Sequence, residues 1–261
     1  MRIVALLTVR NEELYLQRCL QHLQQQNIEV CLIDNGSTDK TLEIAERFLG
    51  RCVFRIEHLS FNGLFEWERI MSQKSKLAQQ IDADWFIHQD ADEIREAPAR
   101  FRNLHEGITH VDQAGYNAIN LDEFDFVPMS EQENYEGTDY VLEMKQYYYF
   151  CPRKLHHIKI WKRTEMDMKL AEGGHRVEFD GLRVYPENFI LRHYPFLSKQ
   201  HAIKKYLERK FDPIELAKGM HVKRARFSEE NFQFPDSEFV KQLSKDGKWD
   251  TSSPSQTHFF C

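Results

Sequence analysis

The sequence predicts an α/β protein whose mostly parallel sheet is flanked by helices and whose C-terminal half is more elaborate. Two observations support this fold class. Short apolar runs that indicate buried strands alternate with segments of helical periodicity over residues 1–90. Two of these runs, residues 30–33 and 85–87, also lead directly into carboxylate clusters. Because open α/β sheets bind ligands beyond the carboxyl ends of their strands, we expect both clusters to face one crevice.

Each element of the first half has its own pattern. Strands are predicted at 2–9, 29–33, 52–58 and 85–88, where the apolar runs are short. Helices are predicted at 12–26, 41–49 and 67–81, where apolar residues recur at helical spacing, as Leu16, Leu20 and Leu23 do. Ser37 or Thr38 is expected to cap the second helix. This order of elements predicts right-handed βαβ crossovers.

The pattern is less regular after residue 92. Strands are predicted at 116–122, 155–162 and 184–191, a helix at 198–211, and a long polar loop at 125–140. The polar segment 216–261 is expected to form a C-terminal surface extension. We therefore predict a ligand-binding half at 1–95, a second half of the same domain at 96–215, and that extension.

Composition excludes some classes of function. The chain has 261 residues, with 35 Lys and Arg against 41 Asp and Glu, which gives a formal net charge of −6. This balance argues against nucleic-acid binding, which needs clustered basic charge. Its apolar runs are shorter than the roughly twenty residues that span a bilayer, and the apolar N-terminal run is too short for a secretory signal. The odd number of cysteines, five, favours reduced thiols, so we expect a cytoplasmic protein.

The carboxylate clusters supply candidate ligand-binding residues. Asp90 and Asp92 are two residues apart, so in an extended segment both carboxylates would point the same way and could bind one Mg²⁺ or Mn²⁺. Asp34 ends a strand, where it could accept hydrogen bonds from a base or ribose. Gly36 and Ser37 would let the backbone approach a ligand or cap the next helix. The alternative for Asp90 and Asp92 is a solvated acidic turn, and the alternative for the segment from Asp34 to Ser37 is a plain βα turn.

Three segments carry a family resemblance: LTVRNEE at 7–13, IDNGSTD at 33–39 and DAD at 90–92. Their order and spacing resemble the nucleotide-sugar-binding half of family 2-like glycosyltransferases, which have the Rossmann-like GT-A fold. The resemblance covers roughly residues 3–93 and implies that 1–95 binds the donor, with Asp90 and Asp92 as a DXD element that holds Mn²⁺ or Mg²⁺. The residues implied to cradle the nucleotide are Thr8, Arg10, Asn11, Glu12, Asp34, Gly36, Ser37 and Asp90. Asn11 could instead be an N-cap, and Arg10 could form a salt bridge with Asp34 or Asp39.

An inverting transfer also needs a base that takes the proton of the acceptor hydroxyl. Glu172 and His175 are the candidates, because the two glycines between them permit a tight loop near a ligand. The resemblance implies an acidic residue in this region and so favours Glu172, while the alternative is a plain glycine turn. His193, at the end of a predicted strand, is a candidate third metal ligand. Imidazole suits Mn²⁺, whereas Mg²⁺ prefers oxygen.

The resemblance implies a metal-dependent, inverting glycosyltransferase that uses a nucleotide-diphospho-sugar donor. Its acceptor would be a saccharide or a lipid-linked glycan, as in polysaccharide biosynthesis, and association with the inner face of a membrane through that acceptor stays open. One alternative is a nucleotidyltransferase, although the chain lacks a Gly-rich loop with a basic residue after the first strand. The other is a non-catalytic nucleotide-sugar-binding or scaffold protein.

Overall fold

Four strands from the first third of the chain form a parallel sheet in the computed structural model, which describes residues 1–244 and 247–259. Strand β1 (Ile3–Val9) lies between β2 (Glu29–Asp34) and β4 (Trp85–Gln89), and β3 (Val53–His58) pairs with β2. The order β4-β1-β2-β3 confirms the predicted parallel sheet. Each strand begins and ends within one residue of its predicted bounds. In β1, β2 and β4 the apolar run coincides with the buried residues, whereas β3 is largely exposed.

The connecting helices are α1 (Leu16–Gln25), α2 (Thr41–Glu46) and α3 (Trp67–Gln80). Helix α1 begins four residues after its predicted start, since Asn11 has a left-handed φ of 55° and a turn follows it. The predicted cap of α2 is wrong. Lys40 occupies the N-cap position, while the Ser37 and Thr38 side chains bond to Asn11 of the preceding loop.

The chain forms two compact units that interleave in sequence. The first comprises Met1–Phe61, Glu68–Leu121 and Leu155–Leu191, and the second comprises Asn62–Trp67, Asp122–Lys154 and the chain from Arg192 onward. Later elements with residues in the first unit are β5 (Glu93–Glu96), α4 (Leu104–Gln113), β6 (Ala118–Asp125), β8 (His157–Lys162), β9 (Lys169–Ala171), β10 (Arg176–Glu178) and β11 (Phe189–His193). A 3₁₀ turn, Glu172–Gly174, separates β9 from β10.

Antiparallel strands extend the first unit's sheet beyond β4. Strand β8 pairs with β4, and the first four residues of β6 pair with β8. Strand β10 runs parallel to β8, with Arg176 opposite Ile158. The core beneath this sheet is apolar, with Leu6, Ile33, Phe86 and Trp161 at 1% exposure or less. Burial of this sheet on its helices fixes the strand ends that carry the candidate site.

The second unit combines a short sheet with several helices. Strand β7 (Gln146–Phe150) pairs antiparallel with the end of β6 and with β12 (Lys241–Gln242). The helices are α5 (Tyr140–Glu143), α6 (Lys199–Leu207), α7 (Pro213–Ala217) and α8 (Val222–Ala225). In the second half of the chain the predicted boundaries are less accurate: β11 starts five residues after its predicted start, and α6 ends four residues before its predicted end.

No helix among the described residues is long and apolar enough to cross a membrane. Within the same part of the chain, Cys19, Cys31, Cys52 and Cys151 are free thiols. Burial raises the pKa of the Cys31 and Cys52 thiols to about 11. Cys261 lies outside the described residues.

Candidate functional site

Three neighbouring parallel strands end at the candidate site. The chain passes from β1 to β2 on one side of β1 and later returns to β4 on the other side, which makes the gap between β1 and β4 a topological switch point. Asp34 is the last residue of β2 and is paired with Val9, and Asp90 directly follows β4. The structure therefore brings the predicted residues after β1, β2 and β4 to one edge of the sheet.

The loops after β1 and β2 are tied to each other by hydrogen bonds. The Asn11 Oδ1 atom accepts from the Thr38 backbone N–H at 2.8 Å, and the Ser37 Oγ atom accepts from the Asn11 N–H at 3.1 Å. The Glu12 N–H donates to Oγ1 of Thr41, a fully buried residue, at 2.7 Å. Asn11 thus holds the second loop, and the alternative in which it caps α1 is wrong because Tyr15 is the N-cap residue.

Arg10 fixes the backbone of the loop after β2. Its Nη1 donates to the carbonyl oxygen of Asn35 at 3.0 Å and to that of Gly36, and its guanidinium carbon lies 3.2 Å from the centroid of the Phe61 ring. Gly36 has φ +68°, and a Cβ there would lie 3.0 Å from Cβ of Phe61. Only glycine fits this conformation and this spacing without strain.

Asp34 and Thr8 present acceptors at the same edge. Asp34 is 5% exposed, and its Oδ1 accepts from the Ser37 N–H at 3.2 Å. Its Oδ2 lies 3.9 Å from Nδ1 of His58. The Thr8 hydroxyl, near the end of β1, is buried without a hydrogen-bond partner among the described residues. A buried polar atom without a partner in the protein is a candidate contact for a ligand.

The segment that carries Asp90 and Asp92 is a turn. The Glu93 N–H donates to the carbonyl oxygen of Asp90 at 3.3 Å, and β5 begins at Glu93. The expectation of an extended segment is therefore wrong, because the chain reverses between β4 and β5. Both aspartates are partly exposed, and 41% of the Asp90 side chain is accessible to solvent.

Three buried basic side chains converge on Asp90. Nε2 of His88 lies 3.4 Å from Oδ2 of Asp90, and Nζ of Lys159 lies 3.5 Å from the same oxygen. Nζ of Lys74 lies 4.0 Å from Oδ1 of Asp90 and 3.3 Å from Nδ1 of His88. The three basic side chains are at most 3% exposed, so the accessible Asp90 carboxylate lies on a buried floor of basic side chains, formed by Lys74, His88 and Lys159.

Burial and the mutual interactions of these groups shift the pKa values of His88, Lys74 and Asp90. Burial, reinforced by the Lys74 charge, lowers the pKa of His88 to about 3, and burial lowers the pKa of Lys74 to about 8. At neutral pH His88 is therefore neutral: Nδ1 accepts from Lys74, and Nε2–H faces Asp90. Burial alone would raise the pKa of Asp90, but the neighbouring basic groups hold it well below its usual range.

Glu93 and Arg95 form hydrogen bonds with residues of this basic floor. Glu93 is 3% exposed, and its carboxylate accepts hydrogen bonds from Arg95 and from Lys159. Arg95 also donates to the carbonyl oxygen of His88 at 2.6 Å. Burial opposes the charge on Lys159, yet Glu93 and Asp90 together raise its pKa. Lys159 is consequently held in its charged form.

Sequence reasoning missed the basic floor, although a signal for part of it exists. Lys74 occupies an inward position of α3, at helical spacing from Ile70 and Leu77, where an apolar residue is expected. Lys159 lies within the run Ile158 to Trp161 of β8, all of whose residues are buried. A lysine at a core position indicates either an ion pair or a functional site.

The predicted catalytic loop lies against His88. Gly174 has φ +81°, and a Cβ added to it would lie 2.2 Å from Cε1 of His88. Glu172, two residues earlier, is exposed and has φ 49°. The structure thus brings the Glu172–His175 segment next to the histidine that faces Asp90. The assignment of Glu172 or His175 as a base stays a prediction.

His193 is the last residue of β11 and lies in the second unit. Its Nδ1 is 2.6 Å from Oδ1 of Asp125 and 2.8 Å from Oε1 of Glu123, and Nδ1 of His258 is 3.0 Å from Oδ2 of Asp125. Within the described residues, Glu123, Asp125 and His193 form one of two groups that could hold a metal ion. Neither group includes Asp90 or Asp92, so the predicted metal ligand set stays a prediction.

Part of the chain is similar in sequence to a known protein family. Residues 5–97 match the family model described as "Glycosyl transferase family 2". The resemblance to family 2 glycosyltransferases is confirmed for this segment. It contains β1 to β5 and every candidate site residue up to Asp92. No curated protein matches the chain significantly.

Several solved structures are similar to this chain at low sequence identity. TarS from S. aureus matches with a TM-score of 0.44 and 14% identity, over 80% of this chain and 39% of TarS. TarS 1–349 in complex with UDP matches with the same score and identity, over 80% of this chain and 65% of that one. Glucosyl-3-phosphoglycerate synthase from Mycobacterium tuberculosis, in complex with Mn²⁺, UDP and glucosyl-3-phosphoglycerate, matches with a TM-score of 0.29 and 18% identity, over 49% of this chain and 44% of that one. This chain therefore spans less than two thirds of each.

Proposed function

We propose that this protein is a glycosyltransferase that moves a sugar from a nucleotide-diphospho-sugar to a saccharide or lipid-linked acceptor. One observation carries the proposal. The segment that matches the glycosyl transferase family 2 model is the segment in which Arg10, Asp34 and Asp90 meet at the ends of three neighbouring strands. A family match and a ligand-binding edge at a topological switch point thus coincide in one region.

The nucleoside half of the donor binds at the ends of β1 and β2. Asp34 accepts hydrogen bonds from the base or ribose, and the buried Thr8 hydroxyl gains the partner that the described protein atoms do not supply. Arg10 holds the loop of Gly36 in place, so its backbone can approach the ligand closely. Asn11, Glu12 and Ser37 act through the hydrogen bonds that lock the two loops together. Preorganisation of this kind reduces the entropy lost on binding.

The diphosphate half binds over the basic floor. Asp90 and Asp92 would hold Mg²⁺ or Mn²⁺, because Asp90 is ionised and accessible and its basic neighbours lie at 3.4–4.0 Å, longer than direct hydrogen bonds. When bound, the cation supplies Lewis-acid stabilisation of the leaving diphosphate. Lys74 and Lys159 add fixed positive charge beneath the same position, in a region of low dielectric where that charge is effective.

The Glu172–His175 loop supplies the base for an inverting transfer. Gly174 brings this loop into contact with His88, and Glu172 presents an exposed carboxylate on it. A carboxylate within reach of the acceptor hydroxyl can take its proton as the new glycosidic bond forms. His175 is the second candidate on the same loop.

Donor binding can be tested by thermal shift, without knowledge of the acceptor. The panel contains UDP-, GDP-, CMP- and dTDP-sugars, each with and without Mg²⁺ or Mn²⁺. At a hundred times its dissociation constant a ligand stabilises the fold by about 2.7 kcal/mol, which is a measurable shift of the melting temperature. We expect one nucleotide class to stabilise the wild type in a cation-dependent way.

Matched variants assign that effect to the proposed site. Asp92→Asn should abolish the cation dependence, and Asp34→Asn should weaken binding of the nucleotide itself. Asp167→Asn, which changes the same chemical group at an exposed position outside the site, should behave as the wild type. If no nucleotide shifts the melting temperature of the folded protein, or if Asp34→Asn responds as Asp167→Asn does, the donor site is not where we propose.

A further inference from the structure

Three histidines of the first unit bring their ring nitrogens together. His157 is the first residue of β8 and His156 directly precedes it, while His175 directly precedes β10, which pairs in parallel with β8. One ligand atom from each residue lies within 4.8 Å of the others. His157 is buried, and His156 and His175 are half-buried. We propose that His156, His157 and His175 form a binding site for one divalent transition-metal ion of the Zn²⁺ or Co²⁺ type.

The spacing of the nitrogens supports a metal site. Nδ1 of His157 and Nδ1 of His175 are 3.3 Å apart. Two nitrogen ligands at 2.0–2.1 Å from one tetrahedral ion are separated by about 3.3–3.4 Å, so this pair already has the separation of two tetrahedral ligands. The rings of His156 and His175 are nearly parallel, with centroids 5.5 Å apart, and the His157 ring is nearly perpendicular to both.

The chemistry of the three side chains selects the class of ion. Neutral imidazoles bind Zn²⁺, Co²⁺, Ni²⁺ and Cu²⁺ well, whereas Mg²⁺ prefers carboxylate and water oxygens. Three protein nitrogens leave a fourth tetrahedral position for water or another ligand. This site therefore differs in its preferred ion from the oxygen site proposed at Asp90 and Asp92.

The backbone holds the three rings in position. The Asn120 Oδ1 atom accepts from the His157 N–H at 3.0 Å, which fixes the start of β8. Leu155 and Glu172, which flank the two histidine segments, both have left-handed backbone conformations, with φ of 52° and 49°. Such conformations cost energy and persist where the surrounding structure enforces them, which is common at binding sites.

One of the three proposed ligands, His175, belongs to the loop that contacts His88. An ion shared by His175 and His157 would bind Nδ1 of His175, the ring nitrogen that lies 3.3 Å from Nδ1 of His157. His175 would then position the loop, and Glu172 would be the only proton acceptor left among the two predicted base candidates. The metal proposal does not rest on the sugar-transfer proposal, and it is tested by metal binding alone.

The test is a titration of chelator-treated, full-length protein with Zn²⁺ by calorimetry, and with Co²⁺ by visible absorbance. We expect one ion to bind per protein molecule with the affinity of this site, and a Co²⁺ absorbance spectrum typical of tetrahedral nitrogen ligation. His175→Ala and His156→Gln should each weaken binding at least about tenfold while their circular dichroism stays that of the wild type. Two variants are used so that a folding defect in one leaves the other informative.

Two control variants assign the ion. His193→Ala removes a ligand from the group with Glu123 and Asp125, and His110→Ala removes an exposed histidine of α4 that belongs to neither group. Both should retain the wild-type affinity for the ion with the tetrahedral spectrum. Failure of the folded wild type to bind, or wild-type affinity in both His175→Ala and His156→Gln, overturns the proposal. Loss of binding in His193→Ala alone assigns the ion to the other group and also overturns it.

Discussion

Gly174 shows how a single missing side chain shapes the candidate site. An added Cβ would lie 2.2 Å, 2.6 Å and 2.7 Å from three atoms of the His88 ring. That ring is buried, and its two nitrogens face Lys74 and Asp90. The glycine therefore serves two needs, a left-handed backbone and direct contact with an imidazole.

We predict that Gly174→Ala destabilises the protein by about 2–4 kcal/mol, because backbone strain and overpacking add. It should also weaken donor binding by displacing His88 from Asp90. Gly181→Ala is the matched control, since Gly181 has nearly the same φ, +80°, and nothing lies within 4 Å of its added Cβ. Urea unfolding of both variants provides the measurement. Equal losses would show that backbone conformation alone, and not contact with His88, requires Gly174.

The charge of Glu93 is a second feature at this scale. Its carboxylate is 4% exposed and is paired with both Lys159 and Arg95. Removal of one partner from a buried ion pair leaves an incompletely compensated charge, which costs about 3–5 kcal/mol.

We predict that Lys159→Met costs about that much, and that Glu93→Gln/Lys159→Met is less destabilised than Lys159→Met alone. Glu93→Gln removes the negative charge that Lys159→Met leaves poorly paired. Chemical denaturation of the two single variants and the double variant measures the coupling. Additive losses would mean that Arg95 alone satisfies Glu93.

At the level of elements, the loops after β1 and β2 behave as one unit. Side chains of one loop satisfy backbone groups of the other in both directions: the Lys40 N–H donates to Glu13, and the Glu13 N–H donates to Asp39. The edge at which we propose that the nucleotide binds is therefore preformed by contacts between two βα connections.

Thr41 tests this coupling. We predict that Thr41→Val, which keeps the shape but removes the acceptor for the Glu12 N–H, costs about 1–2 kcal/mol. It should also reduce nucleotide affinity, because the loops would no longer be held together. Thr109→Val is the control: the Thr109 hydroxyl donates to the carbonyl oxygen of His105 and lies 3.5 Å from Nδ1 of the same residue, one turn earlier in α4. Thermal unfolding with and without the best nucleotide measures both effects, and an unchanged affinity in Thr41→Val would show that the loops bind independently.

The same elements show what sequence can and cannot predict. The strands at 3–9, 29–34 and 85–89 were predictable because burial on both faces of a parallel sheet leaves a continuous apolar run. The strand at 53–58 lies at the edge of the sheet and is largely exposed, and only its shorter apolar pattern indicated it. The positions of Asp34 and Asp90 followed from those runs. The α2 cap was not predictable, because the Ser37 and Thr38 side chains serve a loop that is adjacent only in the fold. Lys74 and Lys159 were missed for the same reason, since their partners are distant in sequence.

For the whole molecule, the net charge is negative, whereas the candidate site contains buried positive side chains. The chain carries a formal charge of −6, which does not attract an anionic donor. The candidate site instead buries Lys74 and Lys159 next to the accessible Asp90. Affinity for a diphosphate would therefore come from a few fixed charges in a region of low dielectric, which salt screens less than surface charge.

This buried charge also predicts how global stability depends on pH. The pKa of His88 is lowered to about 3 from an ordinary value of 6.5, so the folded state binds fewer protons than the unfolded state between these values. The stabilisation is fully present above pH 6.5 and is lost as the pH falls toward 3. For a side chain that is 3% exposed, this loss is on the order of a few kcal/mol. The depressed pKa of Asp90 acts in the same direction at lower pH.

We predict that His88→Gln flattens the dependence of unfolding free energy on pH between 6.5 and 4.5, because glutamine can accept from Lys74 but does not titrate. The measurement is urea unfolding at several pH values across this window, where most carboxylates remain ionised in both states. His110→Gln, at an exposed position, should keep the wild-type slope. If His88→Gln and wild type lose stability in parallel as the pH falls, then His88 accepts a proton in the folded state, and the neutral tautomer that links Lys74 to Asp90 is not the form that the fold stabilises.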